Sequence, residues 1–341
     1  MMTNEEVVIV TLKLLADNKE WKSRYNGYAK AILENSDKYG RLSRKFHINS
    51  PLYIYSNINK VKNDSSTCTY DLRFAGQSVG SIAVNKEGQV YLTVTDKQAE
   101  YASLHFDFTD AKGLKKVEWK SPAATDFRHF FEYQSSTKET KIHSQEHRIE
   151  NWMLSEFGKK TRAEGKKLCN IQPVRLGGKF FQLTTPLSAS KHGEIPQYSC
   201  KNGGGIDILA RVNHTKNNRD NRLAVIELKD ENKPNESQAM TLQQSLVYAT
   251  FLANLLRSDC GNDWWHIFGR SKDVPKILHI DAVTLMPDEG ASEEGCLDEI
   301  VIKDINVILH PHTLYYKRDK KDGNPDSFSG TLKESLRNKG E

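Results

Sequence analysis

Cysteine is scarce in this sequence. The five residues, Cys68, Cys169, Cys200, Cys260 and Cys296, are scattered and odd in number, and no close pair has zinc-finger or redox spacing. A reducing, cytoplasmic setting is therefore expected. Long apolar runs are missing too. None approaches the roughly 20 residues that cross a bilayer. The N-terminus, MMTNEEVVIVTLKLL, is acidic and amphipathic rather than basic then apolar, so neither a membrane span nor a secretory leader is expected. Close histidine clusters are also lacking. His105, His129 and His143 are too dispersed to read as metal ligands, and His279, His310 and His312 are expected to be structural.

What is present is a chain of 341 residues with a formal charge of +5, long enough for about two domains. A mildly basic balance suits an anionic partner without requiring one. The front of the chain reads as helix over residues 4–34, with Asn4 as a cap and Val8, Leu12 and Leu15 on the apolar face. From Leu52 to Trp119 the pattern turns to alternation. Tyr70–Phe74, Ser81–Val84 and Gln89–Val94, punctuated by Gly76–Gly80 and Asn85–Gly88, predict an antiparallel meander. Phe106 and Phe108 hint at a further strand, and residues 120–141 at a helix or linker.

The strongest chemical pattern runs from Gly203 to Tyr248. The segment GGGIDILAR places Asp207 at the start of an apolar strand, after three glycines that permit a tight turn. About ten polar residues follow, suited to a hairpin loop. Then LAVIELK puts Glu227 and Lys229 two apart, on one face of a second strand. A lone E-x-K arises roughly once by chance in a chain of this length. Two adjacent strands, however, would set Asp207 beside Glu227. Paired carboxylates repel and are tolerated together when a divalent cation neutralises them. An all-oxygen set favours Mg2+ or Mn2+. Gln244 and Tyr248 follow at a spacing of four, on one face of a helix over residues 236–257 with Met240, Val247, Phe251 and Leu255 as its apolar stripe.

Asp207, Glu227 and Lys229, with the Q-x-x-x-Y pair Gln244 and Tyr248, resemble the core of the PD-(D/E)XK nuclease superfamily, in its RecB-like branch. The resemblance covers residues 141–257, about a third of the chain. It implies an α/β fold: a restriction-endonuclease-like core with a mixed central β-sheet flanked by helices, joined to an N-terminal α+β domain with an antiparallel β-meander. It also implies an acid on a helix before the first catalytic strand. Gln145–Phe157 is that helix, with Glu150 as the candidate beside the apolar face and Glu146 as the alternative. In this reading Asp207, Glu227 and Glu150 hold Mg2+, for which Mn2+ can substitute. Lys229 orients water or stabilises transition-state charge, and Gln244 and Tyr248 position the reacting groups. The iron–sulfur cluster found in some relatives lacks its four cysteines here.

The expected organisation is an N-terminal domain of recognition or regulation over 1–140, a nuclease domain over 141–316 and a charged, mobile tail over 317–341. Residues 158–167, GKKTRAEGKK, carry five basic side chains suited to phosphate contacts. Trp264 and Trp265 could stack on bases but read more readily as core. Residues 277–286 and 299–312 predict further strands. DNA is the expected partner, with a protein or ligand possible for the N-terminal domain and no membrane. The sequence leaves two alternatives open: an RNA-directed or effector-gated nuclease, and a catalytically silent module that kept the fold.

Overall fold

The computed structural model describes residues 2–36, 51–57, 68–106, 108, 113–136, 145–157, 171–189, 196–199, 203–213, 221–230, 236–288, 297–318 and 325–329. It is a mixed α/β structure with open sheets. The chain divides into two compact units. The larger comprises Met1–Ala29, Trp152–Val174 and Gln182–Glu341, and the smaller comprises Lys30–Asn151 and Arg175–Phe181. Among the described residues no helix is long and apolar enough to cross a membrane.

The larger unit begins with α1 (Asn4–Asp17) and most of α2 (Glu20–Glu34). The cap of α1 is Thr3 rather than Asn4: the Thr3 hydroxyl accepts from Glu6 N at 3.2 Å, and the Glu6 carboxylate accepts from Thr3 N at 2.7 Å. This reciprocal box satisfies two helix-end donors. The single helix expected over residues 4–34 is broken at Asn18, whose side-chain amide caps the Leu14 carbonyl at 2.8 Å. These helices were expected in the N-terminal domain; their aromatic face decides otherwise. Trp21 stacks edge-on against Phe251 at 5.5 Å, and Tyr25 lies 5.1 Å from Phe251 and 6.0 Å from Trp264. Trp264 Nε1 donates to Tyr25 O at 3.2 Å.

The smaller unit holds β1 (Leu52–Asn57), β2 (Cys68–Phe74), β3 (Gln77–Val84), β4 (Val90–Thr93) and β5 (Val117–Glu118), paired in sequence as the expected antiparallel meander. Helices α3 (Asp96–Phe106) and α4 (Pro122–Ser136) accompany it. The strand suggested by Phe106 and Phe108 is not formed. Phe106 ends α3, whose start is fixed by a second capping box between Thr95 and Gln98. Phe108 instead packs into the core against Phe127 and Phe130. Helix α5 (Gln145–Phe157) forms over the expected span, and the division between the units falls within it.

Beyond α5 come β6 (Ile171–Pro173), β7 (Arg175–Leu176) and β8 (Lys179–Gln182). Strands β8 and β7 extend the meander into a seven-stranded sheet ordered β5-β4-β3-β2-β1-β8-β7, while β6 joins the larger unit's sheet. Two short ladders follow: β9 (Thr184–Thr185) with β12 (Gly204–Gly205), and β10 (Leu187–Ser188) with β11 (Gln197–Tyr198). Then come β13 (Ile208–Asn213), β14 (Asn221–Leu228), α6 (Gln238–Leu256), α7 (Gly261–Ile267), β15 (Leu278–Pro287), β16 (Ile300–Ile302), β17 (Val307–Arg318) and β18 (Pro325–Ser329).

The central sheet runs β16-β17-β15-β14-β13-β6 and is mixed. Strands β14, β15 and β17 are parallel, while β13 is antiparallel to β14 and to β6. Helix α6 lies across β14, β15 and β17. Arg257 anchors its end by donating to the carbonyls of Ile305, Pro275, Lys276 and Asn306. The tail is not wholly apart from the fold. Lys317 and Arg318 complete β17, and β18 pairs back on it. The basic stretch 158–167 lies outside the described residues.

Trp21 carries the aromatic contact of the N-terminal helices. Trp21→Ala should lower the larger unit's stability by about 3–5 kcal/mol, read as a shift in the urea midpoint.

Candidate functional site

Register places the first two acids together. Ile208 pairs with Ile226 across the antiparallel β13–β14 ladder, so the residue before β13 meets the residue after Ile226. Asp207 Oδ2 accepts from Leu228 N at 2.9 Å, and Glu227 Oε1 lies 3.5 Å from Asp207 N. Glu227 is buried at 1% exposure. Its β15 partner is Thr284, itself paired with Thr313 of β17. Laterally paired residues share a face, and Thr313 Oγ1 accepts from Gln238 at the start of α6. The carboxylates therefore lie on the α6 face of the sheet.

Two of the three glycines are required by space. A Cβ on Gly203 would come within 2.3 Å of the Leu187 backbone, and one on Gly204 within 2.2 Å of the Tyr248 hydroxyl. Tyr248 thus seats its phenol directly on the turn that delivers Asp207. That hydroxyl is hydrogen-bonded to the Gln244 side chain and to the backbone of Ala189. Burial first, and then the charges of Glu227 and Asp207, push the Tyr248 pKa well above its ordinary value. Tyr248 is consequently a protonated, neutral hydrogen-bonding group at any physiological pH, not a base.

Lys229 follows β14 and is almost wholly buried. Its backbone is pinned on both sides, by its N–H to Leu285 O at 3.0 Å and by Tyr316 Oη donating to its carbonyl at 2.9 Å. Its ammonium pairs with Glu236 at 3.0 Å. Sequence reasoning did not single out Glu236. The one available signal was its position as the acid just before Ser237, the cap of α6.

Glu150 belongs to the smaller unit, so the described geometry does not group it with Asp207 and Glu227. It is buried, as expected from its place beside Ile149 and Met153, whereas Glu146 is half-buried. Its neighbours there are His147, with Nδ1 3.4 Å from Glu150 Oε2, and Tyr55. The Tyr55 pKa is driven up by burial first and then by the charge of Glu150.

The residues brought together suit a hard divalent ion. Asp207 and Glu227 offer oxygen only, and Mg2+ is usually held by one or two carboxylates, with waters and a substrate phosphate completing its shell. Among the described residues no group of three or more His, Cys, Asp or Glu side chains is arranged to hold a metal. Comparison of the chain with protein-family models, curated proteins and solved structures gave no match. What the site can do rests on its own geometry.

Of the remaining candidates, the tryptophans pack in the core and the histidines hydrogen-bond among themselves and with acids. Trp264 and Trp265 are buried at 0% and 3%. His310 lies between His279 Nδ1 at 2.8 Å and Glu299 Oε1 at 3.0 Å, and His312 lies 3.1 Å from Asp281. His310 and His312 alternate with Thr313 and Tyr315, which bond Gln238, so they face away from α6.

Gly204→Ala should cost about 1–3 kcal/mol by overpacking against the Tyr248 phenol. Combined with Tyr248→Phe, the loss should be smaller than the sum of the singles; a denaturation cycle measures the coupling. Burial, with the nearby Arg222 charge, lowers the His310 pKa to about 4, against the opposing pull of Asp281 and Glu299. The unfolded chain therefore takes up this proton near pH 6.5 and the folded chain only near pH 4. Stability should fall as pH drops through that window. His310→Gln should flatten the dependence of the urea midpoint on pH.

Proposed function

We propose that this chain is a metal-dependent phosphodiesterase of the PD-(D/E)XK type, acting on nucleic acid and most readily on DNA. The observation that carries the reading is the meeting of Asp207 and Glu227 across β13 and β14, with Tyr248 and Gln244 from α6 on the same side and Lys229 at the strand end. Two acids facing a neutral phenol, with a buried lysine two residues beyond Glu227, form a set suited to hydrolysing a phosphodiester.

Asp207 and Glu227 would hold Mg2+ or Mn2+. When bound, the ion polarises the phosphate and acidifies water. The chain's own groups do the rest. The Leu228 N–H fixes the Asp207 carboxylate, so its orientation is set before substrate arrives. Lys229 brings a positive charge to the non-bridging phosphate oxygens, where negative charge builds in the transition state. Glu236 keeps that ammonium in place and compensates its charge while no phosphate is present. Tyr248 and Gln244 supply neutral donors that do not titrate with the reaction. In the hydrolysis a water oxygen bonds to phosphorus, one bridging P–O bond breaks, and the departing oxygen takes a proton.

Incubation with linear duplex, circular duplex, single-stranded DNA and RNA, with Mg2+ or Mn2+ and with EDTA, tests this. DNA should be cut only with metal. Lys229→Ala should slow cleavage by about 100- to 1,000-fold, and Asp207→Asn and Glu227→Gln should abolish it. Turnover unchanged in folded Lys229→Ala and Asp207→Asn variants would remove the reading. Selective loss of RNA would move the substrate to RNA. A folded wild type that cuts nothing and whose melting ignores metal would leave only a silent module.

A further inference from the structure

The larger unit carries two arginines whose charges are not offset by any acid among the described residues. Arg211 lies on β13, between its pairing partners Gln172 of β6 and Leu223 of β14. Its guanidinium donates to Gln172 Oε1 at 3.2 Å and approaches Gly269 O at 3.5 Å. Arg270 follows α7, donates to Arg222 O at 2.6 Å and places its guanidinium 5.5 Å from the Trp265 ring centre. The two cations are close enough to feel each other: after burial, the charge of Arg211 lowers the Arg270 pKa to about 10.

Among the described residues neither cation has a carboxylate partner, unlike Arg222, which pairs with Asp281 at 3.5 Å. The Nε of Arg211 and the Nε of Arg270 are both buried and donate to nothing among the described residues. Two like charges, each half out of water and each with an unused donor, cost free energy unless an anion joins them. The ring of Trp265 compensates one cation in part and does nothing for the other.

The local backbone makes room for this pair. Gly269 has φ +85°, and a Cβ there would come within 2.6 Å of Arg211 Nη1. A glycine turn thus lets the Arg211 fork lie against the carbonyl just before Arg270. Guanidinium forks match phosphate oxygens in geometry as well as in charge.

We propose that Arg211 and Arg270 form an anchoring site for a phosphate of the nucleic-acid backbone, apart from the Asp207–Glu227 carboxylates. This rests on the nucleic-acid reading above and adds where the polyanion is gripped. Arg211 is four residues along β13 from Asp207, on the same side by strand alternation and about 13 Å away by strand rise. The anchored phosphate is therefore not the one being cut.

Fluorescence anisotropy of a short labelled DNA duplex in EDTA measures the grip without cleavage. Arg211→Gln and Arg270→Gln should each weaken binding about tenfold. Each should also reduce the slope of log affinity against log salt by about 1. The double variant should lose less than the product of the singles, because both forks hold one phosphate. Arg211→Lys, which keeps charge but not the fork, should recover part of the affinity. Single-turnover cleavage with saturating DNA and Mg2+ should stay at the wild-type rate in both Gln variants, which separates anchoring from chemistry. Wild-type affinity and salt slope in folded variants would overturn the anchor even if the protein cuts DNA. Loss of binding in the variants of a protein that never cuts would uphold the anchor and remove the nuclease. A wild type that binds neither DNA nor RNA would overturn the anchor. If Arg270→Gln fails to melt cooperatively, the two Arg211 variants decide alone.

Discussion

Two carboxylates held side by side, Glu227 buried and Asp207 half-buried, constrain much of the larger unit. Asp207 and Glu227 meet because β13 and β14 are antiparallel and locked in one register. A slip of one residue would turn Asp207 to the opposite face of the sheet. The glycine turn before Asp207 is committed to the same outcome, since side chains at Gly203 or Gly204 would strike Leu187 or Tyr248. The short β9–β12 ladder holds that turn against the rest of the chain. Close packing and electrostatic cost therefore fall on the same few residues.

Around that pair the structure distributes charge by burial. Lys229 is taken out of water with Glu236 as its partner, and Tyr248 is held neutral by burial and by the acids it faces. The far face of the sheet has its own polar chain, in which Asp281 meets Arg222 and His312 while His310 meets Glu299 and His279. Buried polar groups of this kind must be satisfied together. Arg211 and Arg270 differ from both networks, because their positive charges meet no acid among the described residues.

Some of this was legible in the residues alone. The alternation of Tyr70–Phe74 and its neighbours gave the meander, and a spacing of four placed Gln244 and Tyr248 on one face of α6. The break at Asn18 was not legible, because a helical pattern continues on either side of it. Phe106 and Phe108 looked like strand because two aromatics two apart match a period of two. The Thr95–Gln98 box was the local signal that favoured a helix there.

The sequence by itself determined most of the longer elements and their faces: period and capping are local, so Asp207, Glu227 and Lys229 were read onto two strands, whose ends Asp207 and Lys229 adjoin, and Gln244 and Tyr248 onto a helix before any contact was known. Tertiary structure decided which distant residues meet. The first helices join the larger unit because Trp21 and Tyr25 find Phe251 and Trp264, more than 200 residues away. Likewise β7 and β8 extend the other unit's sheet, Glu236 reaches Lys229, and Arg270 approaches Arg211 across a turn. No local pattern encodes such meetings, because they depend on how sheets order their strands and on which surfaces close-pack.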